Sequence, residues 1–334
     1  MRLRFGVLAP TSMVARLAVI PAIQLSERAE LVAVASLSSP PGSVAEVPAE
    51  VPWSRRYEEV LADERVEAVY VPLPNSLHRR WVERAADAGK HVLCEKPLAA
   101  SASDAAEMAA HCEKRGVVLM EAYMTPFHPR SSAVVHLVTS GQLGEFLFGF
   151  AAFTGVLSRP DDHRWRPEMG GGALLDVGIY CLSPLLAAAG LDPETVGEPA
   201  AVPGVHGVAR LGGEGVDASF SGFLGLPGSS ASFQCSFEAP ERQVLELVGT
   251  EGGALVERAF TPSHDDRVIF IRRRDGGYDE LETDGCDPYL NMVDHFCDVV
   301  RGRAELVRPP SHSVALARLV ERLRAASTGG AAHD

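Results

Sequence analysis

The 334-residue sequence contains no C-x-x-C pair and no histidine at the spacing of a zinc site. Its six cysteines, Cys94, Cys112, Cys181, Cys235, Cys286 and Cys297, are scattered through apolar or helical contexts such as His91-Val92-Leu93-Cys94. They read as reduced thiols acting as small hydrophobes, and no metal is expected. Apolar runs long enough to cross a bilayer, about 18 residues, are lacking. The opening Met1–Phe5 carries two arginines, but the apolar stretch ends at Pro10, too short for a secretory core. Positive charge is also scarce: 31 Lys+Arg stand against 44 Asp+Glu, a net charge of −13. That balance argues against a duplex-DNA binder, which needs a basic face, while leaving room for a locally basic pocket. The expectation is a cytoplasmic protein with no nucleic-acid and no membrane partner.

What is present is a foldable chain. Hydrophobic residues make up 46% and charged residues 22%, too apolar for disorder. The length suits about two domains. Strand-length apolar runs fall at 3–9, 31–35, 66–71, 91–94 and 117–122, with helical stretches at 77–88 and 102–115 between them. Such alternation predicts an α/β Rossmann-type doubly wound parallel sheet over 1–122. Ser101 or Ser103 is a candidate N-cap for the 102–115 helix, and Gly116 its stop. Pro40, Pro41, Pro48 and Pro52 mark an irregular loop. Beyond residue 123 the texture changes to a strand at 144–156, a helix at 172–189 and a series of short strands from 205 to 272. Helices at 288–300 and 314–325 close the chain. This predicts, over 123–334, an α+β domain with an open, mostly antiparallel sheet. Gly329-Gly330-Ala331-Ala332 reads as a frayed tail.

A dinucleotide-binding domain would carry its glycine fingerprint after the first strand. There, Gly6-Val7-Leu8-Ala9-Pro10-Thr11-Ser12-Met13-Val14 puts Ala9, Thr11 and Val14 at the three glycine positions. A Thr at the second should push a pyrophosphate outward, although a helix N-terminus and the Thr11 and Ser12 hydroxyls remain to attract it. These hydroxyls equally suit a helix cap. The second strand ends in Ala35-Ser36-Leu37-Ser38-Ser39, without the carboxylate that binds the ribose of NAD and without an arginine for NADP. Pro72, Leu73, Asn75 and His78 follow the next strand, at the sheet edge where such folds bind ligands. Glu95-Lys96-Pro97 ends another, and a lysine there is either functional or held in a salt bridge. Pro97 admits a cis bond. Farther on, Gly170-Gly171-Gly172 leads into a helix carrying Asp176 and Tyr180, four residues apart and so on one face. A tyrosine merely packed, with its hydroxyl satisfied, is the alternative.

Together, Pro-Asn-Ser-Leu-His at 74–78, Gly-Lys-His-Val-Leu-Cys-Glu-Lys-Pro-Leu at 89–98, Glu-Ala-Tyr-Met-x-x-x-His-Pro at 121–129 and Gly-Gly-Gly-Ala-Leu-Leu-Asp-Val-Gly-Ile-Tyr at 170–180 resemble the Gfo/Idh/MocA oxidoreductase family. The branch it most resembles holds nucleotide-sugar 3-ketoreductases, xylose dehydrogenase and dihydrodiol dehydrogenase, which share the Tyr at 180. The resemblance implies an NAD(P) cofactor, with NADP(H) favoured and NAD(H) the alternative. It implies cofactor contacts at Ala9, Thr11, Ser12, Met13, Ser36, Leu37, Pro72, Leu73, Asn75, His78, Glu95 and Lys96. It further implies Lys96, Tyr180 and Asp176 as catalytic residues. Tyr180 would exchange a proton with the substrate beside the Lys96 ammonium, which stabilises a phenolate, and Asp176 would orient a substrate hydroxyl. A homodimer or homotetramer formed through the open sheet is also implied. Arg164 and Trp165, in the loop Arg159-Pro160-Asp161-Asp162-His163-Arg164-Trp165-Arg166, are candidate substrate contacts, since arginine forks suit phosphate and Trp offers a stacking face. A solvated loop with arginine paired to Asp161 or Asp162 is the alternative. The favoured activity is NADPH-dependent reduction of a keto group on a nucleotide-activated deoxysugar. The others are oxidation of a free sugar or cyclic diol, and a non-catalytic sugar- or nucleotide-binding relative.

Overall fold

The computed structural model describes residues 1–37 and 42–330, with side chains to residue 327. Ser38, Ser39, Pro40, Pro41 and Ala331-Ala332 lie outside the described residues. The chain divides into two compact units, Met1–Met124 with Tyr289–Ser313, and Thr125–Pro288 with the chain from Val314 onward. The single cut expected at 122/123 differs from this division, because 289–313 returns to the first unit. A return of this kind leaves no mark in composition.

The first unit holds six parallel strands: β1 (Leu3–Leu8), β2 (Ala29–Ala35), β3 (Trp53–Ser54), β4 (Ala68–Val71), β5 (His91–Glu95) and β6 (Leu119–Ala122). Their order is β3-β2-β1-β4-β5-β6, the doubly wound arrangement whose direction reverses between β1 and β4. Leu3, Phe5 and Val7 are fully buried on one face of β1, with Leu8 buried beyond them. Each such side chain contributes about 1.5–3 kcal/mol by leaving water. The connecting helices are α1 (Ile20–Leu25), α2 (Tyr57–Ala62), α3 (Asn75–Asp87) and α4 (Ala102–Arg115). The α4 boundaries follow the sequence signals: Ser101 accepts from the Asp104 N–H at 3.1 Å, and Gly116 takes a left-handed φ of 68°. A helix α7 (Pro288–Val300) also packs here, with Phe296 against Phe5.

The second unit is built on a nine-stranded sheet: β7 (Phe146–Thr154), β8 (Gly204–Leu211), β9 (Asp217–Leu226), β10 (Ser229–Ser236), β11 (Arg242–Gly249), β12 (Gly252–Glu257), β13 (Val268–Arg273), β14 (Tyr278–Glu282) and β15 (Ser327–Gly330). It is antiparallel except for the β7–β10 and β15–β8 pairs. Gly329 and Gly330, expected to fray, form the end of β15, where the chain pairs with β8. One face carries α5 (Pro129–Thr139) and α6 (Ile179–Ala188), and Gly149 lets Leu185 of α6 approach β7. On the opposite face the register aligns Phe150, Ser232, Phe223 and His206 in one row, with Phe148 in the next. Phe148 and Phe223 are 47% and 45% exposed, so this face keeps aromatic surface open within the chain. The last helix is α8 (Pro310–Ala325). By length and composition residues 167–188 could cross a membrane, yet 67% of that window is buried, as in a core helix.

Candidate active site

In the first unit the expected cofactor residues gather at the carboxyl ends of the strands. After β1, Ala9 holds a left-handed φ of 50° and does the turning a glycine would do without strain. Thr11 is exposed, Ser12 is half-buried with its N–H on the Ala9 carbonyl at 3.0 Å, and Met13 is 62% exposed at the start of the helix. The first helical turn thus presents its N–H groups at the point where the sheet reverses. A π-helical turn, Ala15–Val19, follows before α1. Ser36 is buried at the end of β2, its N–H on the Ser54 carbonyl at 3.0 Å, and Leu37 is 58% exposed. Pro72, Leu73 and Asn75 lie at the end of β4, all buried. The turn is open to solvent at Thr11 and Met13, with a helix N-terminus behind it to attract a phosphate.

His78 departs from its expected role. Its side chain is completely buried, with Nε2 2.7 Å from the Leu73 carbonyl and Nδ1 3.1 and 3.2 Å from those of Pro97 and Leu98. An imidazole so enclosed cannot touch a cofactor; it ties the loop after β4 to the turn after β5. Within that turn the Lys96–Pro97 bond is cis and Lys96 is half-buried. Glu95 is buried, accepting from the Tyr70 hydroxyl at 2.5 Å and from the Lys96 N–H at 3.2 Å. Glu121 holds the same turn from the other side: its carboxylate accepts from Leu98 N–H at 2.8 Å, Arg308 Nε at 2.9 Å and Ser313 Oγ at 2.6 Å. Tyr70, Arg308 and Ser313 were not foreseen, since nothing local to 308–313 points back to β5.

In the second unit, Asp176 lies in a π-helical turn, Leu174–Gly178, and Tyr180 in the first turn of α6. Two of the helices bearing candidate residues therefore carry π turns, which often mark functional sites. Asp176 is 9% and Tyr180 5% exposed. The Tyr180 ring packs edge-on against Phe153, 5.3 Å between centroids, and obliquely against Phe260 at 6.4 Å. These two rings stack on each other at 5.5 Å and hold the phenol between them; a pairing across more than 100 residues leaves no local sequence signal.

Arg164 reaches this helix. Its Nε and Nη2 donate to the two oxygens of Asp162 at 3.0 and 3.1 Å, and its Nη1 lies 3.5 Å from Asp176 Oδ2. The fork expected to bind a substrate is thus already engaged by two carboxylates. Trp165 packs edge-on against Phe237. The glycine run explains how loop and helix join: the Gly172 N–H donates to the Arg164 carbonyl at 3.0 Å, and a Cβ on Gly171 would clash with that carbonyl oxygen. Asp217 closes the other side, accepting from the Leu174 N–H at 2.6 Å, with Arg324 at 3.6 Å. The six cysteines are free, five of them buried, and burial pushes the Cys112 and Cys297 thiols up to about 12. Among the described residues no group of three His, Cys, Asp or Glu could hold a metal.

Residues 11–123 match the family model of an oxidoreductase family with an NAD-binding Rossmann fold, and residues 132–255 match the GFO/IDH/MocA C-terminal domain. The chain is 35% identical to D-xylose 1-dehydrogenase (NADP(+)) 2 of Haloferax volcanii over 98% of both chains. The chain belongs to the Gfo/Idh/MocA oxidoreductase family. It is 36% identical to a dTDP-3,4-didehydro-2,6-dideoxy-alpha-D-glucose 3-reductase of Streptomyces violaceoruber, over 90% of this chain and 85% of that one. Its fold matches the crystal structure of a 3-ketoreductase from Actinomadura kijaniata in complex with NADP and TDP-benzene, with TM-score 0.87, 27% identity and 99% of both chains covered. As a member of this family the chain is an NAD(P)-dependent oxidoreductase, and the non-catalytic alternative falls away.

Proposed function

We propose that this enzyme reduces a keto group on a nucleotide-activated deoxysugar with NADPH. One observation carries the reading: a lysine at the end of β5 and a tyrosine on an aromatic-backed helix occur in a chain similar along most of its length to dTDP-sugar 3-reductases. Bound nicotinamide supplies the hydride. Tyr180 Oη donates the proton that the carbonyl oxygen needs as it becomes an alcohol, and Lys96 supplies an ammonium suited to the nicotinamide ribose and to developing negative charge. Asp176 accepts a hydrogen bond from a substrate hydroxyl and so orients the ring. The relatives that carry NADP, and the end of β2 without a carboxylate among its described residues, support the phosphorylated coenzyme.

Oxidation of a free aldose is the second reading, favoured by the engaged Arg164 fork and by the similarity to D-xylose 1-dehydrogenase over nearly the whole chain. Steady-state assays separate the two. Turnover of a dTDP-linked keto-sugar with NADPH, at a kcat/KM at least 100-fold above that for any free aldose, supports the first; efficient aldose oxidation without keto-sugar reduction overturns it. The exposed aromatic face of the nine-stranded sheet is the proposed interface of a homo-oligomer.

A further inference from the structure

The end of β2 holds no positive charge among its described residues: Leu37 is exposed there, and Ser36 is buried. A 2′-phosphate on the adenosine ribose sits beside this strand end in doubly wound folds and needs a cation. The register supplies one from the neighbouring strand. β3 runs parallel to β2, with Ala35 opposite Ser54, and the Ser36 N–H donates to the Ser54 carbonyl. Arg55 and Arg56 follow directly after β3, whose carboxyl end is paired with that of β2 just before Ser36 and Leu37.

Both arginines are exposed, and neither forms an ion pair or side-chain hydrogen bond among the described residues. The nearby acidic groups have other partners in contact: Glu58 pairs with Arg84 at 2.8 Å and feels the Arg56 charge only from a distance, and Glu59 accepts from Ser54 Oγ at 2.5 Å. The backbone that bears the arginines is fixed, since Ser54 Oγ accepts from the Arg56 N–H at 2.9 Å and Tyr57 is buried at the start of α2. Trp53 and Ser54 pair with β2, so the arginines cannot drift from its end.

We infer that Arg55 and Arg56 form the 2′-phosphate-binding element of this enzyme and set its preference for NADP(H) over NAD(H). The inference rests on the coenzyme half of the proposed function and adds the residues responsible. Guanidinium forks suit a phosphate, and charge-assisted bonds of this kind change affinity about 10- to 100-fold.

Isothermal titration of 2′,5′-ADP and 5′-AMP, and of NADPH and NADH, against the wild type, Arg55→Gln, Arg56→Gln and the double variant tests it without any turnover. The wild type is expected to bind 2′,5′-ADP at least 10-fold more tightly than 5′-AMP. The double variant should lose that margin, raising the NADPH Kd about 10- to 100-fold while leaving the NADH Kd within about twofold. Unchanged NADH binding and melting temperature show that the variant is folded. A wild-type preference that survives in the double variant overturns the inference and spares the NADPH reading. A wild type indifferent to the 2′-phosphate overturns both.

Discussion

Tyr180 illustrates what a single side chain can and cannot announce. Its identity and its spacing from Asp176 were legible because both stand in an otherwise apolar helix behind a glycine run. The Phe153 and Phe260 rings that aim it were not, because one comes from β7 and the other from the bend after β12, and no local pattern links either to the helix. Tyr180→Phe keeps that packing and removes only the proton, so kcat should fall about 10²–10⁴-fold, with the NADPH Kd unchanged in a fluorescence titration. An unchanged kcat would remove Tyr180 from proton transfer. Arg164 is the opposite case: a residue type that suggested a substrate contact proves to be held by Asp162 and to lie beside Asp176. Arg164→Gln should therefore lower kcat/KM about 10-fold or more for charged and neutral substrates alike. Loss confined to nucleotide-linked substrates would restore the phosphate-binding role. At Ala9 the left-handed backbone costs an L-residue roughly 1 kcal/mol. Ala9→Gly should raise the unfolding free energy by about 0.5–1 kcal/mol in urea denaturation.

Elements were legible wherever local signals set their limits. The α4 helix begins at a serine cap and ends at Gly116, as its sequence indicates. By contrast α5, with apolar and polar residues nearly interleaved, and the two-residue β3 gave no periodic signal. β15 looked like a tail because glycines lack side-chain pattern, yet backbone pairing alone makes a strand. The loop at 159–167 and the helix entered at 174 behave as one element, joined through the glycine run. Gly172 has φ 111° and a Cβ there would clash with Asp217 Oδ1, so Gly172→Ala should cost about 1–3 kcal/mol in thermal unfolding and lower kcat. The Asp162–Arg164 clamp should also show in the pH dependence of stability. Burial disfavours the Asp162 carboxylate, but hydrogen bonds from Arg164 outweigh it and hold the carboxyl below its usual range. A carboxyl lowered in the folded state contributes stability that is fully present above its unfolded pKa, about 3.9, and is lost as pH falls through the folded value. The melting-temperature gap between wild type and Asp162→Asn should therefore be steady from pH 5 to 8 and close below about pH 4.

For the whole molecule, the parallel order of the first sheet and the mostly antiparallel second sheet followed from texture alone: helices alternate with strands before residue 123, and strands follow one another after 200. The return of 289–313 to the first unit was hidden, because α7 is as amphipathic as any helix and composition does not say which core it joins. The open face of the second sheet bears Phe148, Phe223 and Val208, all 45–58% exposed. If copies of the chain meet there, sedimentation should show a homo-oligomer for the wild type, and Phe223→Glu should shift it toward monomer. On the proposed reading the chain couples NADPH to reduction of a carbonyl on an activated sugar, with Tyr180 as the proton donor. Following NADPH absorbance with a dTDP-linked 3-keto-deoxysugar tests it most directly. Stoichiometric conversion of NADPH and ketone to NADP⁺ and alcohol is expected, abolished in the Lys96→Ala and Tyr180→Phe double variant. No NADPH consumption by the folded wild type, or consumption undiminished in the double variant, would contradict it.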